Sequence, residues 1–467
     1  MIEGKVLQFL SKIKKIFISK LRKFSPIQII VLSFLLLILL GTILLSLPLS
    51  SSGMRKITIL DALFTCVSCC CITGVTLFDT WTNWSIFGQI VILCLIQIGA
   101  LGLVSFTTGF TLIFRKKLGL RNVKIFQEGV AGDIFDISRL IKTIFLSTIL
   151  FELMAILLLC IKFIPRYGAY GIWVSIFLCI SAYCNAGFDI TGFIAPNESC
   201  AVFNNDFFSL TVIALLSFIG GLGFVVIIDI YNYFKNRDHN SSLSLQTKIV
   251  LKSSVFIIVL GTIIFFLLEG NNTMKDFPII KKIFVSFFHS SSQRTSGLTA
   301  VAVSGQYNLT KFITMCFMLI GASPASTGGG IKTVTVVVII YTVLNTLKGR
   351  EDNIIYGKKI SSATTYKAIT IAVMFLSCAL LGATMIYTLD FDKNLPTIDI
   401  FYEVVSCIST TGYTSGISPI LSSASKLVLI SLMFFGRVGP ISIIISIIEN
   451  NKNQKNVVLP EEKVILS

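Results

Sequence analysis

Four short stretches of this chain combine a central glycine with hydroxyl or amide side chains, and such stretches can surround a cation with oxygen atoms. Each glycine lacks the Cβ that would keep several carbonyl oxygens from approaching one axis. By subtraction of their residue numbers, successive glycines are 113, 110 and 115 residues apart. This near-equal spacing predicts a fourfold internal repeat. The candidate cation-binding residues are Thr73, Gly74, Asn185, Ala186, Gly187, Thr295, Ser296, Gly297, Thr410, Thr411 and Gly412.

One glycine of this kind carries little information, because isolated glycines in turns and helix contacts are common. For any single stretch, a turn or packing role stays open, whereas four stretches at equal spacing argue for a shared role. Thr410 and Thr411 would supply carbonyl oxygens on the approach to Gly412. The bulky Tyr413 is expected to pack behind this stretch rather than to contact the ion.

The composition indicates the environment of these stretches. Of 467 residues, 54% are hydrophobic and 13% charged, more apolar than a soluble surface accommodates. A net charge of +16 would suit a nucleic-acid-binding protein, but the basic residues lie between apolar segments, as in cytoplasmic loops of membrane proteins. The sequence therefore predicts an all-α integral membrane protein in a lipid bilayer, with no nucleic acid among its partners.

The apolar segments follow one order four times: a span, a half-span, a glycine-centred stretch and a second span. The half-spans are shorter than the roughly 20 helical residues that cross a hydrocarbon core. Eight full spans, an even number, and basic residues on one side predict that both termini are cytoplasmic. The predicted spans are 27–47, 85–114, 140–162, 207–231, 249–268, 311–345, 367–389 and 425–449, with half-spans at 57–71, 173–185, 281–293 and 398–410.

A backbone that turns back at membrane depth is tolerated only where it is buried in protein or lines a watery cavity. Four such turns predict four pseudo-symmetric helix–pore-loop–helix repeats around one central pore. The half-helices would also direct the negative ends of their dipoles towards that axis, which favours cations. The predicted regions are a basic cytoplasmic segment (1–24), four repeats (25–125, 126–240, 241–350 with a broken last helix, and 351–450) and a cytoplasmic tail (451–467).

The second span of the third repeat contains ten residues that cannot continue a regular helix, because glycine is unfavourable there and proline clashes with the preceding turn. A soluble protein would use such a stretch to bind a nucleotide. However, Gly330-Ile331-Lys332-Thr333 lacks the Gly-Lys-Thr order of a phosphate-binding loop. We expect an unwound intramembrane loop formed by Gly321, Ala322, Ser323, Pro324, Ala325, Ser326, Thr327, Gly328, Gly329 and Gly330.

Charged residues inside predicted spans need partners or water, since an arginine at that depth costs about 2.5 to 3.5 kcal/mol on insertion scales. Arg437 interrupts the last span, where it would face the pore or join a structural ion pair. Glu152 is a candidate partner within the bundle, either as a structural acid or with a transport role. His, Asp and Cys residues of the spans show no catalytic or metal-binding spacing, so neither an enzyme nor a resident cofactor is predicted.

The glycine-centred stretches resemble those of the Trk/Ktr/HKT potassium-transporter superfamily, most closely the bacterial Ktr-type membrane subunit, over residues 25 to 450. The resemblance implies K⁺ uptake across the bacterial plasma membrane through one selectivity filter, with K⁺ at Gly74, Gly187, Gly297 and Gly412. It implies that residues 321–330 form the gate below this filter and that Arg437 raises the barrier to cations. Sodium-selective plant relatives commonly have serine in the first stretch, and here Leu298 replaces a more usual phenylalanine.

The resemblance also implies a homodimer and a cytosolic nucleotide-binding regulatory subunit. The candidate docking surface consists of the basic loops 115–139, 235–248 and 348–366 and the tail from 450. Na⁺ stays open as a coupling or activating ion. Two alternative functions are a Na⁺-conducting relative and a secondary transporter for a small organic solute, although such transporters usually have two inverted halves.

Overall fold

A computed structural model describes residues 26–102, 137–235, 242–350 and 352–439. Its helices are α1 (Pro26–Leu45), α2 (Ile59–Cys70), α3 (Thr80–Asn83), α4 (Ile86–Leu101), α5 (Ile137–Tyr167), α6 (Ala169–Cys184), α7 (Phe207–Leu222), α8 (Phe224–Lys235), α9 (Leu245–Glu269), α10 (Ile279–Ser292), α11 (Asn308–Leu319), α12 (Thr333–Leu347), α13 (Ser362–Leu389), α14 (Thr397–Ser409) and α15 (Ser423–Val438). One hairpin of β1 (Asn353–Ile355) and β2 (Lys358–Ile360) lies between α12 and α13. The predicted all-α fold class is confirmed.

In the part of the chain that the structure describes, four helices are long and apolar enough to cross a bilayer unbroken: α1, α5, α9 and α13. Large apolar side chains on their outer faces are exposed, for example Leu39 (62%) and Leu157 (67%). Such faces are suited to hydrocarbon rather than water. The four helices coincide with the predicted spans 27–47, 140–162, 249–268 and 367–389.

Four shorter helices, α2, α6, α10 and α14, have 12, 16, 14 and 13 residues and end immediately before the glycine-centred stretches. Helix α2 begins with a capping box, in which the Thr58 backbone N–H donates to Asp61 at 3.1 Å. Helix α14 ends at Ser409, and its C-cap residue Thr410 is left-handed with φ +52°. These helices match the predicted half-spans and are too short to cross a membrane.

The second span of the second repeat differs from the prediction. Helix α7 ends at Leu222, and α8 continues from Phe224 after a bend of 93°. The predicted unbroken span over 207–231 is therefore wrong. Gly223 makes the turn with φ +91°, and a Cβ there would lie 2.5 Å from the Pro324 carbonyl oxygen. The bend leaves room for the loop of the third repeat.

Glycines with positive φ also end α4 and α15, at Gly102 (+73°) and Gly439 (+88°). The residues beyond them, and so the rest of the predicted spans 85–114 and 425–449, lie outside the described residues. In the third repeat, α11 ends at Leu319 and α12 begins at Thr333, which confirms the predicted break. Sequence analysis missed the other helix ends, although a shared Gly-x-x-Gly pattern marks them: Gly99-Ala100-Leu101-Gly102, Gly220-Gly221-Leu222-Gly223 and Gly436-Arg437-Val438-Gly439.

The β1–β2 hairpin connects the third and fourth repeats. Its strands are antiparallel, with Asn353 opposite Ile360, and its turn uses left-handed residues at Tyr356 and Gly357. Ile355 is fully buried and packs in one cluster with Ile249 of α9. The largest hydrophobic cluster, in contrast, contains residues from all four repeats and surrounds the ends of the half-helices.

Candidate functional site

The four glycine-centred stretches share an unusual backbone path. The glycines have φ of +85°, +70°, +75° and +92° in chain order. Two residues before each glycine, φ is again positive, at Ile72, Asn185, Thr295 and Thr410. Left-handed backbone is rare for β-branched residues and persists only where the surroundings impose it. The same conformation, repeated four times, indicates that the four stretches have the same task.

The four glycines lie against one another in a closed cycle, which we call the glycine ring. A Cβ on Gly74 would lie 2.8 Å from Gly187 Cα, and one on Gly187 would lie 3.2 Å from Gly297 Cα. A Cβ on Gly297 would lie 3.1 Å from Gly412 Cα, and one on Gly412 would lie 3.1 Å from Gly74 Cα. Residues more than 100 positions apart in sequence therefore meet around one axis. Any side chain at these positions would obstruct the ring.

Backbone carbonyl oxygens lie between neighbouring glycines of the ring. A Cβ on Gly74 would approach the Ala186 oxygen at 2.6 Å, and one on Gly297 would approach the Thr411 oxygen at the same distance. Ser296 and Thr73 supply the corresponding oxygens beside Gly187 and Gly412. Each of these oxygens belongs to the residue immediately before a ring glycine. Such a set of carbonyl oxygens can replace the water around an alkali cation.

Serine side chains hold the glycine-centred stretches in place. The Ser68 hydroxyl donates to the Val75 carbonyl at 2.7 Å, and the Ser292 hydroxyl donates to Leu298 at 2.6 Å. In the fourth stretch, the Gly412 backbone N–H donates to the Ser406 hydroxyl at 3.1 Å. Sequence analysis missed these supports. Ser68 and Ser406 each stand six residues before a ring glycine, which is a visible signal for two of these supports. Ser181 and Ser291 occupy the same place, but Ser181 has no hydrogen-bond partner and Ser291 donates to the Ala214 carbonyl.

Tyr413 lies behind the fourth stretch, as its size predicts. Its hydroxyl donates to the His289 carbonyl oxygen at 3.1 Å, and its ring is fully buried. His289 stacks in turn on Phe265 with ring centroids 3.8 Å apart. On the other side of the stretch, Glu403 accepts hydrogen bonds from the Thr414 hydroxyl at 2.8 Å and from Ser418. The stretch is thus fixed from two directions.

Three threonine hydroxyls beside the ring, those of Thr73, Thr295 and Thr410, are buried and have no hydrogen-bond partner. Buried hydroxyls without a partner are unusual and call for an explanation, such as an ion. A Cβ on Gly328 would overlap the Thr295 hydroxyl, and one on Gly329 would overlap the Thr410 hydroxyl. The predicted intramembrane loop, residues 321–330, therefore lies directly against two of the four stretches.

The intramembrane loop rests on the α7–α8 bend. The Phe224 N–H donates to the Ala325 carbonyl at 2.8 Å, and the Ser323 N–H donates to Gly221 at 3.1 Å. Thr327 makes the most contacts: its hydroxyl donates to the Tyr183 carbonyl at 3.2 Å and is 3.0 Å from the Asn185 side-chain amide. The loop is therefore held by the second repeat as well as by its own flanking helices.

Both ends of the loop are also fixed. The Gly321 N–H donates to the Ile331 carbonyl at 2.9 Å, which brings the two ends together. The Lys332 ammonium donates to the Gly328 carbonyl at 2.7 Å. Gly330, with φ +71°, approaches the Ser409 carbonyl next to the fourth stretch. The loop is thus held by hydrogen bonds at both of its ends.

Arg437 contacts backbone carbonyls instead of a carboxylate. Its guanidinium donates to Thr327 in the intramembrane loop and to Gly99 and Ala100 of α4, the last two at 2.6 and 3.1 Å. Glu152, its candidate partner from the sequence, instead accepts a hydrogen bond from the Gln97 amide at 3.0 Å. Arg437 of α15 therefore connects α4 with the loop.

With this geometry established, the comparisons with known proteins identify the family. The family model of the TrkH cation transport proteins matches residues 2–457. The chain belongs to this family. The Ktr system potassium uptake protein B of Bacillus subtilis (strain 168) is 34% identical over 446 residues, which cover 95% of this chain and 97% of that protein. The potassium/sodium uptake protein NtpJ of Enterococcus hirae is 31% identical and covers 95% and 98%.

A solved structure agrees with this assignment at the level of fold. The crystal structure of the potassium transporter TrkH from Vibrio parahaemolyticus has a TM-score of 0.66 and covers 88% of this chain and 84% of that one. At 17% identity, this likeness shows the shared fold alone. The sequence-based resemblance to the Trk/Ktr superfamily is confirmed, and the chain is a transport protein rather than an enzyme.

Proposed function

We propose that this protein is the pore-forming subunit of a K⁺ uptake system and that K⁺ passes through the glycine ring. The closed cycle of Gly74, Gly187, Gly297 and Gly412, with a carbonyl oxygen between each pair, carries this proposal. A ring of carbonyl dipoles stabilises a dehydrated cation and repels anions. The relatives named as potassium uptake proteins support K⁺ as the transported ion.

The intramembrane loop is the proposed gate. It lies against the Thr295 and Thr410 hydroxyls and so obstructs the inner side of the ring. A rearrangement that releases its hydrogen bonds to the α7–α8 bend would clear the path. Arg437 has two proposed effects: it holds the loop through Thr327, and its positive charge raises the barrier to cations.

The arrangement in the membrane and the partners are further parts of this proposal. The chain would be a multi-pass protein of the bacterial plasma membrane, organised as four repeats with boundaries near residues 125, 240 and 350 and both termini cytoplasmic. It would form a homodimer and bind a cytosolic nucleotide-binding regulatory subunit. Relatives named as components of a Ktr system support a multi-component assembly.

The proposed docking surface is only partly described by the structure. Exposed Lys248 near the start of α9 and exposed Lys358 and Lys359 of the hairpin belong to it. Residues 115–136, 236–241 and 351, the segment 1–24 and the tail from 450 lie outside the described residues. The distribution of basic residues supports a cytoplasmic orientation of this face.

A second candidate function is conduction of Na⁺ through the same ring. The name of the Enterococcus hirae relative, a potassium/sodium uptake protein, supports Na⁺ conduction as a candidate. A related candidate role for Na⁺ is that of a coupling or activating ion. This role requires no resident cofactor in this chain. A secondary transporter for an organic solute is not favoured by any observation on the ring.

Growth and flux measurements test the proposed function. A bacterial strain lacking its own K⁺ uptake systems should grow at limiting K⁺ when it expresses this protein with a suitable regulatory subunit. Purified protein in liposomes should take up ⁸⁶Rb⁺, with and without Na⁺ to separate coupling from conduction. Absence of both rescue and ⁸⁶Rb⁺ uptake by a well-expressed, folded protein would overturn the proposal. Uptake of ²²Na⁺ in place of ⁸⁶Rb⁺ would establish the second candidate.

A further inference from the structure

The third glycine-centred stretch differs from the other three in charge. Arg294 stands three residues before Gly297. The same place is occupied by an uncharged residue in the other stretches, by Cys71, Cys184 and Ser409. Among the four stretches, the third therefore has a positive charge at a position where the others have an uncharged side chain.

Arg294 is buried without the partners that a buried guanidinium normally has. Its residue is 6% exposed, and its Nε and Nη2 atoms have no hydrogen-bond acceptor. Each of the three ion pairs within the described residues is formed by other side chains. Arg437, in contrast, donates to three backbone carbonyls. The charge of Arg294 is thus less compensated than that of Arg437, and its field extends further.

The positive charge of Arg294 offsets the negative end of one helix dipole, that of α10. Helix α10 ends at Ser292 with Gln293 as its C-cap residue, so Arg294 follows directly after the negative end of this helix. No basic residue occupies the last turn of α2, α6 or α14. Of the four half-helices, α10 is therefore the one followed by a cation within its own glycine-centred stretch, while Arg437 of α15 bonds to Gly99, which lies against the end of α2.

We propose that Arg294 weakens the cation affinity of the glycine ring, acting as a positioning charge behind the third stretch, so that a bound ion leaves quickly. This inference rests on the proposed function of the ring. Conduction requires sites that bind an ion well enough to accept it and weakly enough to release it. The helix dipoles and the carbonyl oxygens favour binding, and Arg294 shifts the balance towards release.

The inference predicts a specific kinetic pattern. In Arg294→Gln, ions bind more tightly and leave more slowly, so both the KM and the maximal rate of ⁸⁶Rb⁺ uptake fall. A decrease in KM of about fivefold to tenfold is expected for one unit charge close to the ring. A merely structural defect lowers the maximal rate and leaves KM unchanged or raises it. The two effects are therefore separable.

The experiment measures ⁸⁶Rb⁺ uptake into liposomes and RbCl binding to the purified full-length protein by calorimetry. Arg294→Lys keeps the charge and should retain the wild-type KM and Kd. Lys252→Gln removes one charge from an exposed position on α9 and should change neither value. A lower KM and Kd in Arg294→Gln alone supports the inference.

An unchanged or higher Kd in folded Arg294→Gln would overturn the inference while leaving the proposed function intact. If the Gln variant does not fold, Arg294→Met and Arg294→Lys provide the same comparison. A Lys variant that shifts Kd as far as the neutral variant also overturns it, because the charge would then be irrelevant. Failure of the wild-type protein to bind or transport Rb⁺ would count against the proposed function itself.

Discussion

The Arg437 guanidinium donates a hydrogen bond to the Thr327 carbonyl oxygen, 110 residues earlier in the sequence. Its other donor group bonds to Gly99 at the end of α4. Thr327 belongs to the loop between α11 and α12, whereas Arg437 belongs to α15. The position of the loop therefore depends on a side chain that neither flanking helix supplies.

Replacement of Arg437 by Gln should raise the ⁸⁶Rb⁺ uptake rate several-fold, because it removes charge-assisted hydrogen bonds worth roughly 1.5 to 3 kcal/mol each. Arg437→Lys separates the two proposed effects of this residue. Lysine keeps the charge but cannot reach carbonyls of two segments with one planar group. If the Lys variant is as fast as the Gln variant, the hydrogen bonds that hold the loop are the dominant effect of Arg437. If the Lys variant keeps the wild-type rate, the positive charge is the dominant effect. Unchanged or slower uptake in a folded Gln variant contradicts both effects.

Thr327→Val should also increase uptake, by about fivefold, since loss of a hydroxyl that contributes about 1 kcal/mol shifts the loop towards its open position. The hydroxyl contacts the Tyr183 carbonyl, next to the second glycine-centred stretch, and the Asn185 amide within that stretch. Thr327→Ser retains the hydroxyl and is the matched control. Deletion of residues 323–329 should give the largest increase. Equal rates in wild type, Val variant and deletion would exclude the loop as the gate.

Much of this arrangement could be predicted from the sequence, because it depends on residues that are close together in the chain. Gly74, Gly187, Gly297 and Gly412 are recognisable because each follows a short apolar helix at regular spacing. The break before Thr333 is recognisable because proline and glycine exclude a regular helix. Such features depend on neighbouring residues alone.

The remaining features depend on contacts between distant segments. The 93° bend at Gly223 was not predicted, because a single glycine is compatible with a continuous helix unless another segment requires the space. Here the Pro324 carbonyl oxygen occupies the space that a side chain at position 223 would need. Likewise, the partners of Arg437 are backbone carbonyls, which have no signature in a sequence. Glu152 is the partner of Arg437 that the sequence suggests, because a sequence shows side-chain charges but not backbone contacts.

Tyr413→Phe should lower the melting temperature of the purified protein by about 1 to 2 °C, because the hydroxyl loses its bond to the His289 carbonyl, worth about 1 kcal/mol. Tyr402→Phe is the matched control: this hydroxyl is also buried but has no hydrogen-bond partner, so its removal should be neutral or stabilising. Thermal unfolding in detergent checks both variants. Equal melting temperatures for the two variants would show that Tyr413 does not support the fourth stretch in this way.

Gly412→Ser should reduce the preference for K⁺ over Na⁺ by about tenfold, or about 1.4 kcal/mol. Gly412 has φ +92°, and a Cβ there would meet the Thr73 carbonyl oxygen and the Cα atoms of two other ring glycines. The fourth stretch must then move outward, which changes the distances of the oxygens on which ion preference depends. Competition of ⁸⁶Rb⁺ uptake by K⁺ and Na⁺ measures the change.

The matched control for this substitution is Gly416→Ser. Gly416 has the same φ of +92°, but a Cβ there would have no atom within 4 Å. Both substitutions therefore introduce similar backbone strain, and only that at Gly412 enlarges the ring. Altered ion preference in Gly412→Ser with normal preference in Gly416→Ser would locate selectivity at the ring. If both variants keep the wild-type preference, Gly412 is not part of the filter, and the closed cycle of glycines then serves packing alone.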